Sequence, residues 1–461
     1  MMHTDSFHFA QTASGDLTCR CRLSDREIAL HSKYQPVMEA KRFIQSQLSN
    51  MDAGVRRIIV YGFACGHHIR ALLEATDESV IIEVLEMNVV LFQTVSMYPD
   101  VQDLLGNPRL HIIATDELLS IRDFVQSWSA EEPVQLIIHD PSAQIIPAHL
   151  ASFRDLLINY QVQQKSLLVN RSRLIENLHL NQQLGLPGIE SLLNQWVQPN
   201  ADALSQVPVL LVAAGPSLEE QLQTLRAVRE HVMIVAVGRS LRLLLDEGIV
   251  PDFFMITDAN EIVQTHIERL PHENVPMFFL STVYHNVPRL YTGPKFIVYQ
   301  YGMDYKDGYM PPEFVKIDTG GSVSTSIFDL LLKFGFRNIC LVGLDLAFTF
   351  GRSHAQGAMR HDQLSDTQLA VAPEVPNVDR SGMVKTSRSL MSFRQWFMLK
   401  ARKLRASDAR IVLCNASIGG AFIEGFEHVK LEEYVQRNIT SNIKLVRSPF
   451  EKVVRDVSCQ P

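Results

Sequence analysis

The stretch Pro208–Glu220, PVLLVAAGPSLEE, decides how the chain is read. Val209 to Ala213 is an unbroken apolar run of strand length, and Ala214-Gly215-Pro216-Ser217 is a tight turn. Ser217, followed by Glu219 and Glu220, reads as the N-cap and acidic first turn of a helix. A strand that passes through glycine into a helix aims backbone N–H groups at the positive end of that helix, which suits a phosphate or a nucleotide. Such turns also occur with nothing bound, so the reading rests on the segments downstream.

Those segments are a series of strand-like runs with polar carboxyl ends. Met233 to Val237 ends on Gly238-Arg239-Ser240, and Phe253 to Thr257 ends on Asp258-Ala259-Asn260. Met277 to Leu280 ends on Ser281-Thr282, the run NICLVGLD ends on Asp345, and Ile411 to Cys414 ends on Asn415. Helical segments separate these runs, which predicts a mainly parallel sheet. Ligands of such sheets sit outside the carboxyl ends of the strands. Gly320-Gly321-Ser322 is a second glycine turn, opening a helix that runs to Lys333. Neither turn is followed by the Gly-Lys-Ser/Thr order of a P-loop. His354 lies shortly after Asp345 and is a candidate base or phosphate ligand. The polar stretch around 351–386, with Pro373 and Pro376, reads as a mobile flap.

Upstream, Ile58 to Tyr61, the turn GFACG, a helix from His67 to Glu74 and the strand Val80 to Glu86 read as a nucleotide-type βαβ opening. Bulky Phe63 and His67 crowd that turn, so a scaffold without ligand is the preferred reading. Leu110 to Ala114 and Val134 to Asp140 supply further strands. The expectation is an α/β chain with two doubly wound, mainly parallel, Rossmann-like sheets joined by a helical connector. Its parts are a loose arm (1–25), an N-terminal domain (26–150), the connector (151–200), a catalytic domain (201–435) and a tail (436–461). The Asn and Gln residues of the connector read as a solvated or interface face.

A net charge of −7 over 461 residues argues against nucleic acid as a partner. No apolar run reaches the roughly 18 residues a membrane span needs, and MMHTDSFHFAQ lacks the features of a leader. A cytoplasmic protein is expected. The six cysteines do not form a zinc-type spacing, so neither a disulfide framework nor a metal site is expected.

LLVAAGPSLEEQL, IVAVGRSLRLLLDEGIVPDFFMITDAN and GGSVSTSIFDLLLKFGFRNICLVGLDLAFTFGRSHA together resemble the motility-associated factor (Maf) flagellin glycosyltransferase family. NVDRSGMVKTSRSLMSFRQWF and CNASIGGAFIEGFEHVKLEE continue the likeness in the same order, and GFACGHHIRALL is similar to the family's N-terminal domain. The core of that family is similar to bacterial sialyltransferases that use a CMP-activated donor and no metal. The resemblance implies transfer of a nonulosonic acid, of pseudaminic, legionaminic or sialic type, from a CMP donor to Ser or Thr of flagellin. It implies that Gly215, Pro216, Ser217, Gly238, Asp258 and Asn260 hold the cytidine nucleotide. Gly320, Gly321 and Ser322 would face the donor sugar or phosphate, and Asn415 would reach the nucleotide. The sialyltransferases carry their catalytic His in a segment matching Val384-Lys385-Thr386-Ser387, where this chain has none. His354 is then the replacement base, with Asp345 orienting it or the acceptor hydroxyl. The GPS and TDAN stretches also resemble an archaeal pterin diphosphokinase, an ATP- and Mg-dependent enzyme. A non-catalytic flagellin-binding assembly factor is the third reading.

Overall fold

The computed structural model describes residues 6–23, 26–49, 51, 54–117, 120–121, 134–150, 153, 172–270, 274–301, 314–357, 363–438 and 443–458. Part of the expected connector (151–152 and 154–171) lies outside them. The chain divides into two compact units, Met1–Lys165 and Ser166–Pro461.

In the first unit, β1 (Ser6–Gln11), β2 (Leu17–Arg22) and β3 (Glu27–Ala29) form an antiparallel sheet. Within the arm expected as loose over 1–25, residues 6–11 and 17–22 are therefore strand. Its alternation is carried by Cys19 and Cys21, both buried, against exposed Arg20 and Arg22. That is the two-residue strand period, with cysteine as the inward apolar residue. β4 (Arg57–Tyr61), β5 (Ile81–Glu86), β6 (Leu110–Ala114) and β7 (Val134–Ile138) form a parallel sheet of order β6-β5-β4-β7. The winding reverses between β4 and β7, which opens the customary ligand crevice at their carboxyl ends.

The second unit is built on β8 (Pro208–Val212), β9 (Met233–Val237), β10 (Phe253–Ile256), β11 (Met277–Leu280), β12 (Lys295–Gln300), β13 (Lys316–Ile317) and β14 (Asn338–Val342). A hairpin of β15 (Glu374–Pro376) and β16 (Met383–Lys385) comes next, then β17 (Val412–Asn415) and β18 (Glu427–His428). Nine of these strands make one sheet of order β13-β12-β11-β10-β9-β8-β14-β17-β18, parallel throughout. Every residue of β8, β9, β10 and β14 is buried, as expected of strands covered on both faces. The doubly wound α/β architecture read from the sequence is the one observed.

The tail expected over 436–461 belongs to this core. The helix Ile443–Ser458 buries Ile443, Val446, Phe450, Val453, Val454 and Val457, which recur at helical spacing along one face. The indole of Trp196 donates to the Val446 carbonyl at 3.0 Å, and Phe450 packs against its ring. Arg447, itself buried, donates to Asp252 at 2.7 Å and to the Val232 carbonyl at 2.7 Å. Among the described residues, no helix is long and apolar enough to cross a membrane.

Candidate functional site

The winding of the large sheet reverses between β8 and β14, so the crevice of the second unit opens at their carboxyl ends. Five adjacent strands, β10, β9, β8, β14 and β17, end there on Asp258, Gly238, the Gly215 turn, Asp345 and Asn415 in that spatial order. The sequence places these residues in five separate segments.

The Gly215 turn does not hold its N–H groups out to solvent. Pro216–Gln221 is a 3₁₀ helix after Gly215, and Ser217 is not its side-chain cap. Asp345 accepts from the Ser217 N–H at 3.0 Å and from the Ser217 hydroxyl. The Gly215 N–H goes to the Gly343 carbonyl at 2.8 Å. A Cβ on Gly215 would lie 2.5 Å from that carbonyl oxygen and 2.8 Å from Asp345 Cγ, so glycine is required here by close approach of backbone and carboxylate. Asp345 is almost completely buried, and burial raises its pKa above the ordinary carboxylate value against the pull of the Ser217 bonds. Asp345 thus meets the Ser217 turn, a partner the sequence reading did not assign to it. Its carboxylate closes the turn.

His354 is brought to a different partner. An Nη1 of Arg239 lies 2.8 Å from its Nε2 and 3.0 Å from its Nδ1, with Ser353 Oγ also at 3.0 Å from Nδ1. A guanidinium only donates, so the imidazole is the acceptor in this contact. Arg239 stands at the start of the nine-residue helix Gly238–Asp246, which has no side-chain cap. His266, which sequence reasoning did not single out, completes the group. Burial lowers its pKa to about 4, with Arg239 pushing the same way and Asp258 opposing. Asp258 is exposed and accepts from the Asn260 backbone and side-chain nitrogens at 2.9 and 2.7 Å. Gly238 is buried, and a Cβ there would meet Ile256 at 2.7 Å, so it serves packing of the helix on β10.

The loop carrying His354 is fastened across the β8 turn. Ala355 N–H donates to the Ala214 carbonyl at 2.9 Å, and Arg352 pairs with Glu219 at 2.8 Å. The segment expected as a mobile flap over 351–386 contains this fastened loop, the helix Asp366–Val371 with a Ser365/Gln368 capping box, and the β15–β16 hairpin. Thr386, in the segment where the sialyltransferases carry histidine, is buried and donates to the Leu346 carbonyl at 2.8 Å.

Asn415 is buried at the end of β17. Its Oδ1 accepts from Ser417 N–H at 3.0 Å, while its Nδ2 has no acceptor among the described residues. Gly320-Gly321-Ser322 opens the helix Val323–Lys333, capped reciprocally by Ser322 and Thr325. A Cβ on Gly320 would meet the Trp396 ring at 2.8 Å, and the preceding Asp318 receives the Trp396 indole N–H at 3.2 Å. This turn therefore faces the helix Arg388–Ser407. Two asparagines of the connector are buried rather than solvated. Asn177 and Asn181, on the helix 172–182, are buried and donate to the carbonyls of Ala259, Thr282, Ser281 and Val283 at the ends of β10 and β11.

The matching crevice of the first unit is filled. Glu86, fully buried at the end of β5, accepts from the Phe63 N–H of the GFACG turn and from the Asn88 N–H, both at 2.8 Å. Burial raises its pKa. A Cβ on Gly62, where φ is +92°, would lie 2.3 Å from Ser142 Cβ. His31, His68 and His139 occupy the remaining space, all buried, with pKa values lowered chiefly by desolvation, that of His68 to about 4.

Residues 172–351 match a family model described as 6-hydroxymethylpterin diphosphokinase MptE-like. No curated protein matches. Among solved structures, one described as the structure of Maf glycosyltransferase from Magnetospirillum magneticum AMB-1 is similar over 100% of this chain and 77% of its own, at 16% identity and a TM-score of 0.45. That description names the family that the sequence motifs resemble. Spermidine synthase from Thermotoga maritima is similar over 32% of this chain and 57% of its own, at 14% identity and a TM-score of 0.22.

Proposed function

We propose that this protein is a glycosyltransferase that moves a nonulosonic acid from a CMP-activated donor to Ser or Thr hydroxyls of flagellin. The observation that carries the reading is the meeting of Arg239, His266, His354 and Asp258 beside the β8/β14 crevice, within a chain whose motifs follow the Maf order. The chemistry asks for a cation at the donor phosphate and a neutral base near the acceptor. Arg239 supplies the first and His354 the second. The acceptor hydroxyl oxygen forms its bond to the anomeric carbon as the bond from that carbon to the CMP phosphate oxygen breaks. The centre is oxocarbenium-like, the hydroxyl proton passes to His354, and CMP leaves with the bonding pair. Asn415 Nδ2, buried without an acceptor among the described residues, is suited to an oxygen of the nucleotide. Asp345 and Ser217 hold each other at the β8 turn that borders the crevice.

Incubation with unmodified flagellin and a CMP-nonulosonic acid should raise the flagellin mass by one sugar per modified site. Flagellin binding without any mass gain, from a donor shown to be intact, would leave the non-catalytic assembly factor. The family-model match over 172–351 favours a second reading, an ATP- and Mg-dependent diphosphokinase. A specific ligand stabilises the native state by mass action, so the melting temperature separates the two. A rise with CMP supports transfer, and a rise only with ATP and Mg²⁺ supports the kinase.

A further inference from the structure

The filled crevice of the first unit has a chemistry of its own. His31 comes from the segment after β3, His68 from the helix His67–Ala75 behind the GFACG turn, and His139 from the end of β7. We propose that these three histidines form a binding site for a divalent transition-metal ion of the zinc class.

One ring nitrogen from each lies within 4.8 Å of one from each of the others. Nitrogens around a tetrahedral zinc ion stand about 3.3 Å apart, given bond lengths near 2.0–2.1 Å. Closing that difference takes modest turns about the Cβ–ring bonds, which are torsionally soft in histidine. His68 and His139 already lie side by side, with ring centroids 4.3 Å apart, and binding would tilt this stacked pair.

The tautomers also fit. A metal-binding histidine commonly engages its second nitrogen with a carbonyl, carboxylate or other polar group, which turns the remaining lone pair toward the ion. His68 Nε2 lies 2.8 Å from the Gly62 carbonyl and so carries the proton. Its Nδ1 is then a buried lone pair, and it has no partner among the described residues. His139 Nδ1 is 2.8 Å from Ser142 Oγ, leaving Nε2 for the ion. His31 Nδ1 faces the Glu39 carboxylate at 3.9 Å, and its Nε2 receives only a long contact from Cys65 N–H at 3.3 Å. A buried acceptor without a donor is costly, and an ion in the cluster removes that cost.

The donor set selects the ion. Three neutral imidazoles with no carboxylate among them suit zinc, copper, nickel or ferrous iron and do not suit calcium or magnesium. The ion would tie together three segments distant in sequence, at the place where a nucleotide would lie in an open sheet of this kind. Positions 31, 68 and 139 match no zinc-type spacing, which is why the sequence led to the expectation of no metal site.

The test uses the full chain stripped of metal and titrated with Co²⁺. The expected result is an intense tetrahedral d–d spectrum saturating at about one equivalent, abolished by Zn²⁺. Zn²⁺ should also raise the melting temperature of the wild-type chain. The variant with His31→Gln, His68→Gln and His139→Gln should lose both responses. If that variant does not fold, the wild-type spectrum decides alone. Weak octahedral bands, or a spectrum that the folded triple variant retains, would overturn the proposal.

Discussion

The two α/β units solve the same local problem in the same way and then part company. In each, a glycine turn follows a central strand, and a carboxylate from the adjacent strand closes it, Glu86 on the Phe63 N–H and Asp345 on the Ser217 N–H. Both carboxylates are buried, and both have pKa values raised chiefly by desolvation. The difference lies beside the turn. In the first unit the neighbouring space is packed with imidazoles and Ser142. In the second it holds half-buried Arg239, His266 and His354, and exposed Asp258. A glycine turn therefore marks a strand-to-helix corner, and the residues at the next strand ends decide what kind of group could lie beside it.

The strongest way to break this comparison is to remove the carboxylates. Asp345→Ala and Glu86→Ala each orphan two buried donors, so each should cost about 3 kcal/mol in urea unfolding. A variant that lost almost nothing would show that its turn is open to another anion. Next is Arg239→Ala, which should lower the transfer rate by about 100-fold, roughly 2.7 kcal/mol of barrier. The unfolding midpoint should move little, since the side chain is half-exposed. An equal loss of stability would place Arg239 with the closed first-unit residues.

Gly215→Ala and Gly62→Ala come third, at about 2 kcal/mol each, because their Cβ atoms would meet Gly343 O and Ser142 Cβ at 2.5 and 2.3 Å. Thermal melts of the two variants should fall together. The smallest effect is a pH dependence. His266 has its folded pKa at about 4, below its ordinary 6.5, so the native state binds fewer protons than the unfolded chain between those values. That stability is fully present above about pH 6.5 and is lost as the pH falls toward 4. His266→Gln should flatten this part of the curve of urea midpoint against pH, and an unchanged slope would separate His266 from the group around Arg239.

Much of the second sheet was legible because its strands are unbroken apolar runs with glycine or acidic ends, and Val209–Val212 and Ile339–Val342 leave little choice of structure. β1 and β2 were not, since their inward positions include cysteines set between arginines and histidine. The helix Ile443–Ser458 was missed although its apolar spacing is regular, because its charged face lowers its mean hydropathy. At the site, the strand ends were legible and the pairings were not. Nothing in the spacing of Ser217 and Asp345, or of Arg239 and His354, shows that they meet; strand order brings them together. His266 sits on a short 3₁₀ segment after β10, Glu261–His266, which carries no motif.

The staple of Trp196 on Val446, with Arg447 on Asp252, has a kinetic consequence. These bonds span 250 and 195 residues of chain, so the unit's core closes through contacts of very high sequence separation. Loop-closure entropy must be met before such contacts return anything, and folding slows accordingly. During synthesis the large sheet would form with Asp252 exposed and Trp196 uncovered until the segment around 443–458 has left the ribosome. The second unit should therefore mature late and as a whole, and a chain cut at residue 435 should persist as a collapsed, aggregation-prone form.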